Sequence, residues 1–277
     1  MHRKIKVIFC DEKWNPDSEL IPYYGSHDSS ARIRQQISWN NSTKGMIWAE
    51  IVAEKIRRQQ ELLRECGENE KAELLGNYIN DIAEADASNR EGHAAKVYFS
   101  GLFGPAFSRS QENPINAALN YGYSLLLSAF NKEITAAGYL TQIGIIHDNM
   151  FNPFNLASDL MEPFRPLVDR QVWKNKPVRF EKEEKTALLN VLNQKVEIDQ
   201  QIHFVSNAIK IYTHSVLDAL NDRKAENLLF YYPCQTKTER TGPKLSRDAN
   251  TAETADSGLL SRVEKLLMEN DSGRAKV

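Results

Sequence analysis

The sequence has no apolar run long enough to cross a membrane. Its richest apolar stretches, YSLLLSAF and YLTQIGII, are shorter than the roughly 18 residues that a transmembrane helix needs. Near the amino terminus, the apolar segment from Ile5 to Cys10 meets Asp11 and Glu12 at once, whereas a secretory signal peptide has a longer apolar core. We therefore expect neither a membrane protein nor a secreted one.

The sequence also has few cysteines and a small net charge. The three cysteines, Cys10, Cys66 and Cys234, are far apart and form neither a CxxC pair nor a Cys/His cluster, so no zinc site is indicated and we expect a reducing, cytoplasmic setting. The 35 Lys and Arg residues nearly balance the 37 Asp and Glu residues, for a net charge of -2. Any contact with a polyanion must therefore depend on a local patch.

Helical periodicity is what the sequence has in abundance. Apolar residues recur at spacings of three and four in five consecutive segments, covering residues 31–39, 43–67, 68–85, 87–103 and 113–140. Five consecutive helices predict a helical bundle and a mainly α fold. Before them, Ile5 to Cys10 predicts one strand, followed by a turn at residues 15–18, and a lone strand needs a partner.

The later part of the chain is more irregular. A loop-rich passage, YLTQIGIIHDNMFNPFN, precedes a predicted helix that starts near Leu156 and contains Pro163 and Pro166. Because proline removes a backbone donor and clashes with the preceding turn, we expect a kink there. A final helical run covers residues 203–220, and the residues beyond Pro233 are so polar that we expect disorder.

Glu91 is the first candidate for chemistry. It lies four residues before Ala95, on a predicted helix face that continues through the apolar Tyr98 and Leu102. Burying an ionised carboxylate there costs several kcal/mol unless it is paired or binds a cation. The alternative is a capping box, in which Ser88 caps the helix and Glu91 binds the backbone three residues before it.

His147, Asp159 and Glu162 are the other candidates. His147 ends the apolar run IGII where the chain enters a loop, and a loop histidine without a role is the alternative. Asp159 borders the apolar face of the next helix, while periodicity makes Glu162 solvent-exposed unless the prolines distort the helix. One histidine with two or three carboxylates and no thiolate suits Mg²⁺ or Mn²⁺, and such sites handle phosphate chemistry.

A local basic cluster is the candidate contact for nucleic acid. It has one acidic neighbour in sequence, Asp169, and one interleaved aromatic residue, Trp173. A solvated charged linker is the alternative. Its basic members are Arg165, Arg170, Lys174, Lys176 and Arg179.

Four motifs, in order along the chain, resemble the CRISPR-associated integrase family of the adaptation module, in its type II form. They are VIFCDEKWNPDSELIPYYGSHDSS, NREGHAAKVYF, NPINAALNYGYSLL and IGIIHDNMFNPFNLASDLMEPFRPLVD. The resemblance extends from about Lys4 to Pro233. Four spaced motifs are much more specific than any one of them alone.

The resemblance implies a helical catalytic domain in which Glu91, His147 and Glu162 bind Mg²⁺ or Mn²⁺, with Asp159 as an auxiliary acid. It also implies a metal-dependent DNA endonuclease and integrase, acting on double-stranded DNA, that inserts captured fragments into a CRISPR array in antiviral defence. In that reaction a 3′-hydroxyl attacks a phosphodiester, and His147 is a ligand rather than a base. The implied partners are a second copy of the chain and a small companion subunit.

Two departures from the family shape the domain assignment. Members begin with a complete β-rich domain, whereas this chain begins at what resembles that domain's last strand, and the polar tail matches nothing in the family. We therefore assign residues 1–24 to a remnant of the β domain, 25–233 to the α-helical catalytic domain and 234–277 to the tail. Two other hypotheses stay open: a truncated DNA-binding or assembly protein without turnover, and an unrelated helical scaffold in which Glu91 is a cap.

Overall fold

The fold is built on α-helices, as the periodicity predicts. A computed structural model describes residues 7–10, 16–20 and 29–234, all within one unit, Met1–Cys234. The predicted disordered tail lies outside the described residues, apart from Cys234, and the division into three domains stays a prediction. The helices are α1 (Ser29–Ile37), α2 (Asn41–Glu65), α3 (Asn69–Asn80), α4 (Arg90–Phe103), α5 (Pro114–Ala136), α6 (Asn155–Leu160), α7 (Arg165–Asn175), α8 (Lys182–Leu189) and α9 (Val205–Asp222). No helix among the described residues is long and apolar enough to cross a membrane.

Helix α2 runs through the body and touches α3, α4, α7 and α9. The Asn40 side chain caps its start by accepting a hydrogen bond from the Thr43 N–H at 2.7 Å. The helix ends where Gly67 adopts a φ of 83°, a conformation that suits glycine. Between these ends an apolar stripe that includes Ile51 and Ile56 is fully buried, so α2 is a fixed platform for its neighbours.

Helices α5 and α7 approach each other closely. Asn113 caps α5 by accepting from the Asn116 N–H at 2.8 Å, and Pro114 occupies the first turn, where its missing N–H costs nothing. A Cβ atom on Gly122 of α5 would lie 2.3 Å from a methyl group of Val168 on α7. This contact fixes α7 against the bundle, together with the short segment that precedes it.

The predicted helix from Leu156 is broken at the prolines. Helix α6 ends at Leu160, a 3₁₀ turn covers Glu162–Phe164, and α7 then begins at Arg165. The expected kink is therefore confirmed. Its cause is the pair Pro163 and Pro166, each of which enters the first turn of a new helical segment.

The strands differ from the prediction in two places. Strand β1 (Val7–Cys10) pairs antiparallel with β2 (Pro16–Leu20), so residues that indicated a turn continue as a partner strand, with an irregularity beside Pro16. A second sheet, missed in the sequence, consists of β3 (Lys195–Ile198), β4 (Gln201–Phe204) and β5 (Tyr232–Pro233), in the order β4-β3-β5. Strand β4 occupies the residues predicted to begin the final helix, which starts at Val205.

Asp169 joins three helices from within the core. Its carboxylate, on α7, accepts hydrogen bonds from the hydroxyls of Tyr98 on α4 at 2.8 Å and Tyr123 on α5 at 2.5 Å. Burial raises the pKa of Asp169 to about 6, although both tyrosines favour its ionised form. The protonated carboxyl is thus relatively more stable in the folded protein than in the unfolded chain.

This shift predicts a pH-dependent loss of stability. Because the folded pKa is raised, Asp169 contributes stability at low pH that is lost as the pH rises from about 4 to about 6, on the order of 3 kcal/mol in all. Asp169→Asn removes this contribution, so urea unfolding should show the variant gaining stability relative to the wild type across that interval. A constant difference between the two proteins from pH 4 to 7 would contradict the assignment.

Candidate metal centre

A buried carboxylate sets the conformation of the loop that carries His147. Asp159 on α6 is 0% exposed, and its oxygens accept backbone N–H groups from Ile145 at 2.5 Å and from Ile146 and His147 at 3.3 Å. The turn also requires Gly144, because a Cβ there would lie 2.3 Å from the His147 carbonyl oxygen and 2.7 Å from an Asp159 oxygen. The buried Asp159 carboxylate thus holds the backbone of the loop in one conformation.

The same carboxylate orients the His147 ring. Nδ1 of His147 lies 2.5 Å from Oδ1 of Asp159, and since an ionised carboxylate only accepts, Nδ1–H is the donor. The neutral ring then keeps its lone pair on Nε2. The Trp48 ring lies edge-on at 5.8 Å between centroids. The hydrogen bond to Asp159 also raises the pKa of His147.

Glu91 is not part of a capping box, so that interpretation is wrong. The residue at the N-cap of α4 is Asn89, in a left-handed conformation and without a side-chain cap bond. The carboxylate of Asp86 instead accepts the N–H groups of Arg90 at 2.8 Å and Glu91 at 3.0 Å. The predicted cap, Ser88, binds the Asp81 carbonyl. The Glu91 carboxylate is therefore free to bind something else.

The partner of the Glu91 carboxylate is an ammonium group on another helix. The Nζ atom of Lys55, on α2, lies 2.5 Å from Oε1 of Glu91. Lys55 is 8% exposed. Burial acts to lower its pKa, but the charges of Glu162 and Glu91 outweigh burial, and the pKa is raised.

Glu162 lies inside the protein and not at the surface, where periodicity alone would place it, because the prolines distort the helix. It is 3% exposed because the chain leaves the α-helical path after Leu160 and the 3₁₀ turn rotates the side chain inward. One carboxylate oxygen contacts Nζ of Lys55, and the other accepts from Nε of Arg165 at 2.8 Å. Burial acts to raise the pKa of Glu162, but Arg165 and Lys55 outweigh it, and the pKa is lowered.

The structure brings two of the predicted residues to one ammonium group, and His147 lies near enough to be affected by both charges. Glu91 and Glu162 share the Lys55 ammonium, and both carboxylates contribute to the raised pKa of His147. Asp159 lies behind His147 as its support. Lys55 was missed, although its signal was present: it is a charged residue inside the apolar stripe of α2, between Ile51 and Ile56.

The donor set fits a hard divalent cation. Two carboxylates and one imidazole nitrogen are ligands that Mg²⁺ and Mn²⁺ accept. Within the part of the chain that the structure describes, no three His, Cys, Asp or Glu side chains surround a single point at metal-binding distance. The Lys55 ammonium lies between two of the three groups.

The predicted basic cluster is largely paired with acids. Arg170 and Lys174 bind the carboxylate of Glu65 on α2, at 2.7 and 3.0 Å. Arg165 faces Glu162, and Arg179 lies within 4 Å of glutamates at the start of α8. These pairs neutralise much of the charge of the basic cluster. They therefore favour the alternative of a solvated charged surface over a dedicated phosphate patch.

The helical body shares its fold with two solved structures. It superposes on a chain of a "Casposase bound to integration product" with a TM-score of 0.61 and 19% identity, covering 79% of this chain and 76% of the other. A chain of a "Cas6-RT-Cas1--Cas2 complex" gives a TM-score of 0.66 at 17% identity over 81% of this chain, but this chain spans only 29% of that longer one.

Sequence comparison then identifies the family. The family profile described as "CRISPR associated protein Cas1" matches residues 1–198, and the chain belongs to that family. A relative from Neisseria meningitidis serogroup C (strain 8013), a "CRISPR-associated endonuclease Cas1", is 32% identical over 80% of this chain and 75% of its own. The predicted membership is confirmed, whereas the type II form and the truncated β domain stay predictions.

The position of Asp159 predicts a defined effect of removing its charge. In Asp159→Asn one carboxylate oxygen becomes an NH₂ group, which cannot accept the backbone N–H groups of the loop. We expect the free energy of unfolding to fall by about 1 to 3 kcal/mol. We also expect a lower pKa for His147, measured by NMR of ring-labelled histidine.

Asp148→Asn is the matched control, because Asp148 is exposed and adjacent to His147 in sequence. It should change the free energy of unfolding by less than about 0.5 kcal/mol. An Asp159→Asn protein with wild-type stability and an unchanged His147 pKa would show that Asp159 does not support the loop.

Proposed function

We propose that this protein is a metal-dependent DNA endonuclease and integrase that inserts captured DNA fragments into a CRISPR array, as part of antiviral defence. Family membership supports the reaction class, and the relative from Neisseria is named an endonuclease. The observation that carries the proposal is the meeting of Glu91 and Glu162 on one cationic group, beside His147. These are the three residues for which the motifs imply metal binding.

In this proposal Mg²⁺ or Mn²⁺ is held by the carboxylates of Glu91 and Glu162 and by Nε2 of His147. When bound, the cation supplies Lewis acidity at the scissile phosphate and stabilises charge on the attacking and leaving oxygens. Asp159 keeps the His147 ring in the required tautomer by accepting from Nδ1. Arg165 keeps Glu162 ionised and in place.

The chemistry is an exchange of phosphodiesters. A 3′-hydroxyl of the captured fragment attacks a phosphorus atom of the array, a new P–O bond forms, and the old bond to the leaving 3′-oxygen breaks. The proton lost by the attacking hydroxyl balances the one gained by the leaving oxygen. No oxidant or external energy source is required, because one phosphodiester replaces another.

Double-stranded DNA is the proposed substrate. The tip of the loop that follows His147 presents Met150 and Phe151, each 87% exposed, on a turn held by the Asn149 and Asn152 side chains. An exposed aromatic side chain such as Phe151 is suited to stack on an unpaired base at the end of a duplex. We also propose a homodimer, a small companion subunit, a cytoplasmic location and the type II form, in line with the family resemblance.

A second candidate function is a DNA-binding or assembly protein without turnover. The observation that favours it is the Lys55 ammonium, which lies between two of the three ligands instead of leaving the site open. Such a protein would bind DNA in a salt-dependent way but would neither cut nor join it with any divalent cation.

A strand-transfer assay separates the two functions. We expect the purified protein to nick or join labelled DNA with Mn²⁺ or Mg²⁺, and Glu162→Gln or His147→Ala to lower the rate by at least about 100-fold, since even residues that only support metal ligands cost 10- to 100-fold. Glu197→Gln, at an exposed position on β3, is the matched control and should leave the rate unchanged.

Two results would contradict the proposal. Full activity in both site variants would rule out the proposed ligands. Salt-dependent DNA binding by the wild-type protein without cleavage or joining in any divalent cation would favour the assembly protein.

A further inference from the structure

Lys55 occupies an unusual position for a lysine. Its side chain extends from the middle of α2, which packs against several other helices, and its ammonium meets Glu91 from α4 and Glu162 from the 3₁₀ turn. The backbone of α2 is held by fully buried neighbours such as Ile51 and Ile56. The side chain itself has several rotatable bonds, so the ammonium can move while the helix stays in place.

The charges around Lys55 balance without any added ion. Glu91 and Glu162 carry two negative charges, and Lys55 and Arg165 carry two positive ones. Removing the ammonium alone would leave two carboxylates facing each other in a largely buried space, which is costly. A lysine at this position therefore stabilises the protein before any metal arrives.

A divalent cation and the ammonium compete for the same oxygens. An ion bound by Glu91 and Glu162 would lie close to the Lys55 ammonium, which contacts one oxygen of each carboxylate, and two cations at that separation repel each other. This repulsion disfavours simultaneous contact of both cations with the same two carboxylates. Binding of the metal therefore favours withdrawal of the ammonium.

We propose that Lys55 is a built-in counter-ion that holds Glu91 and Glu162 together in the metal-free protein and exchanges with the divalent cation when it binds. This inference rests on the proposed function, since it assumes that Glu91 and Glu162 are metal ligands. Lys55 is thus a positioning residue: it keeps the ligands preformed and weakens metal affinity by the cost of its own displacement.

Metal binding by Lys55→Met tests the proposal directly, because methionine keeps the apolar stem and removes the charge. We expect the metal-free variant to melt at a lower temperature than the wild type. We also expect it to bind Mn²⁺ at least about tenfold more tightly by calorimetry, and to gain more thermal stability from saturating Mn²⁺. Lys71→Met is the matched control, because Lys71 pairs with Glu68 on a more exposed surface, and it should bind Mn²⁺ as the wild type does.

The outcomes separate this inference from the proposed function. Wild-type or weaker Mn²⁺ affinity in Lys55→Met would overturn the counter-ion role while leaving the metal site intact. If Glu162→Gln binds Mn²⁺ as well as the wild type, the metal site itself is wrong and both proposals fail.

A second measurement uses the wild-type chain and does not depend on the variant folding. Lysine acetylation by an N-hydroxysuccinimide ester, located by mass spectrometry, is compared with and without saturating Mg²⁺. We expect Lys55 to be protected without metal and labelled several-fold faster with it, while Lys71 is labelled equally in both. Equal protection of Lys55 in the two conditions would overturn the exchange.

Discussion

A buried carboxylate needs a cation, and this requirement organises the centre of the protein. Glu162 is almost completely enclosed and remains ionised because Arg165 and Lys55 contact its two oxygens. Lys55 then also binds Glu91, so one ammonium links α2, α4 and the 3₁₀ turn before α7. The bundle packs around a small polar centre rather than around apolar side chains alone, and the candidate metal ligands lie there.

The scaffold around this centre is rigid where the chemistry requires it. The Asp159 carboxylate holds three backbone N–H groups and one imidazole nitrogen, so the His147 loop has little freedom although its ring is half exposed. The close contact between Gly122 and Val168 fixes α7, and with it the turn that bears Glu162. A binding site on such supports loses little conformational freedom when a ligand binds, and this is the advantage of placing it within a helical bundle.

Much of the fold could be predicted from the sequence, because regular apolar spacing over a long segment is a clear signal of a helix. The predictions failed where the backbone leaves regular geometry. Helical periodicity placed Glu162 at the surface because it assumed a continuous α-helix, whereas the prolines enforce a 3₁₀ turn there. The β3–β4 hairpin was hidden because its turn has Gln200 at positive φ after Asp199, where glycine is the usual signal.

In the candidate site, too, local sequence patterns could not reveal every contact of single residues. Glu91 and His147 could be selected from their positions at the edge of apolar segments. The backbone N–H of Glu91, however, is bound by Asp86, which precedes it in a turn with positive φ at Ala85 and Asp86, and no local pattern indicated this cap. Lys55 stands out as a charge within the apolar stripe of α2, but no local pattern reveals its partners, Glu91 and Glu162, which lie far away along the chain. The family resemblance indicated the candidate ligands, and the structure shows the ammonium that joins two of them.

The most direct measurement is the anomalous scattering of Mn²⁺ in crystals of the protein. The account predicts a peak within about 2.6 Å of Glu91 and Glu162 oxygens and of Nε2 of His147, with the Lys55 ammonium withdrawn from both carboxylates. A peak bound by other residues, or crystals saturated with Mn²⁺ in which Lys55 still joins Glu91 and Glu162, would contradict it.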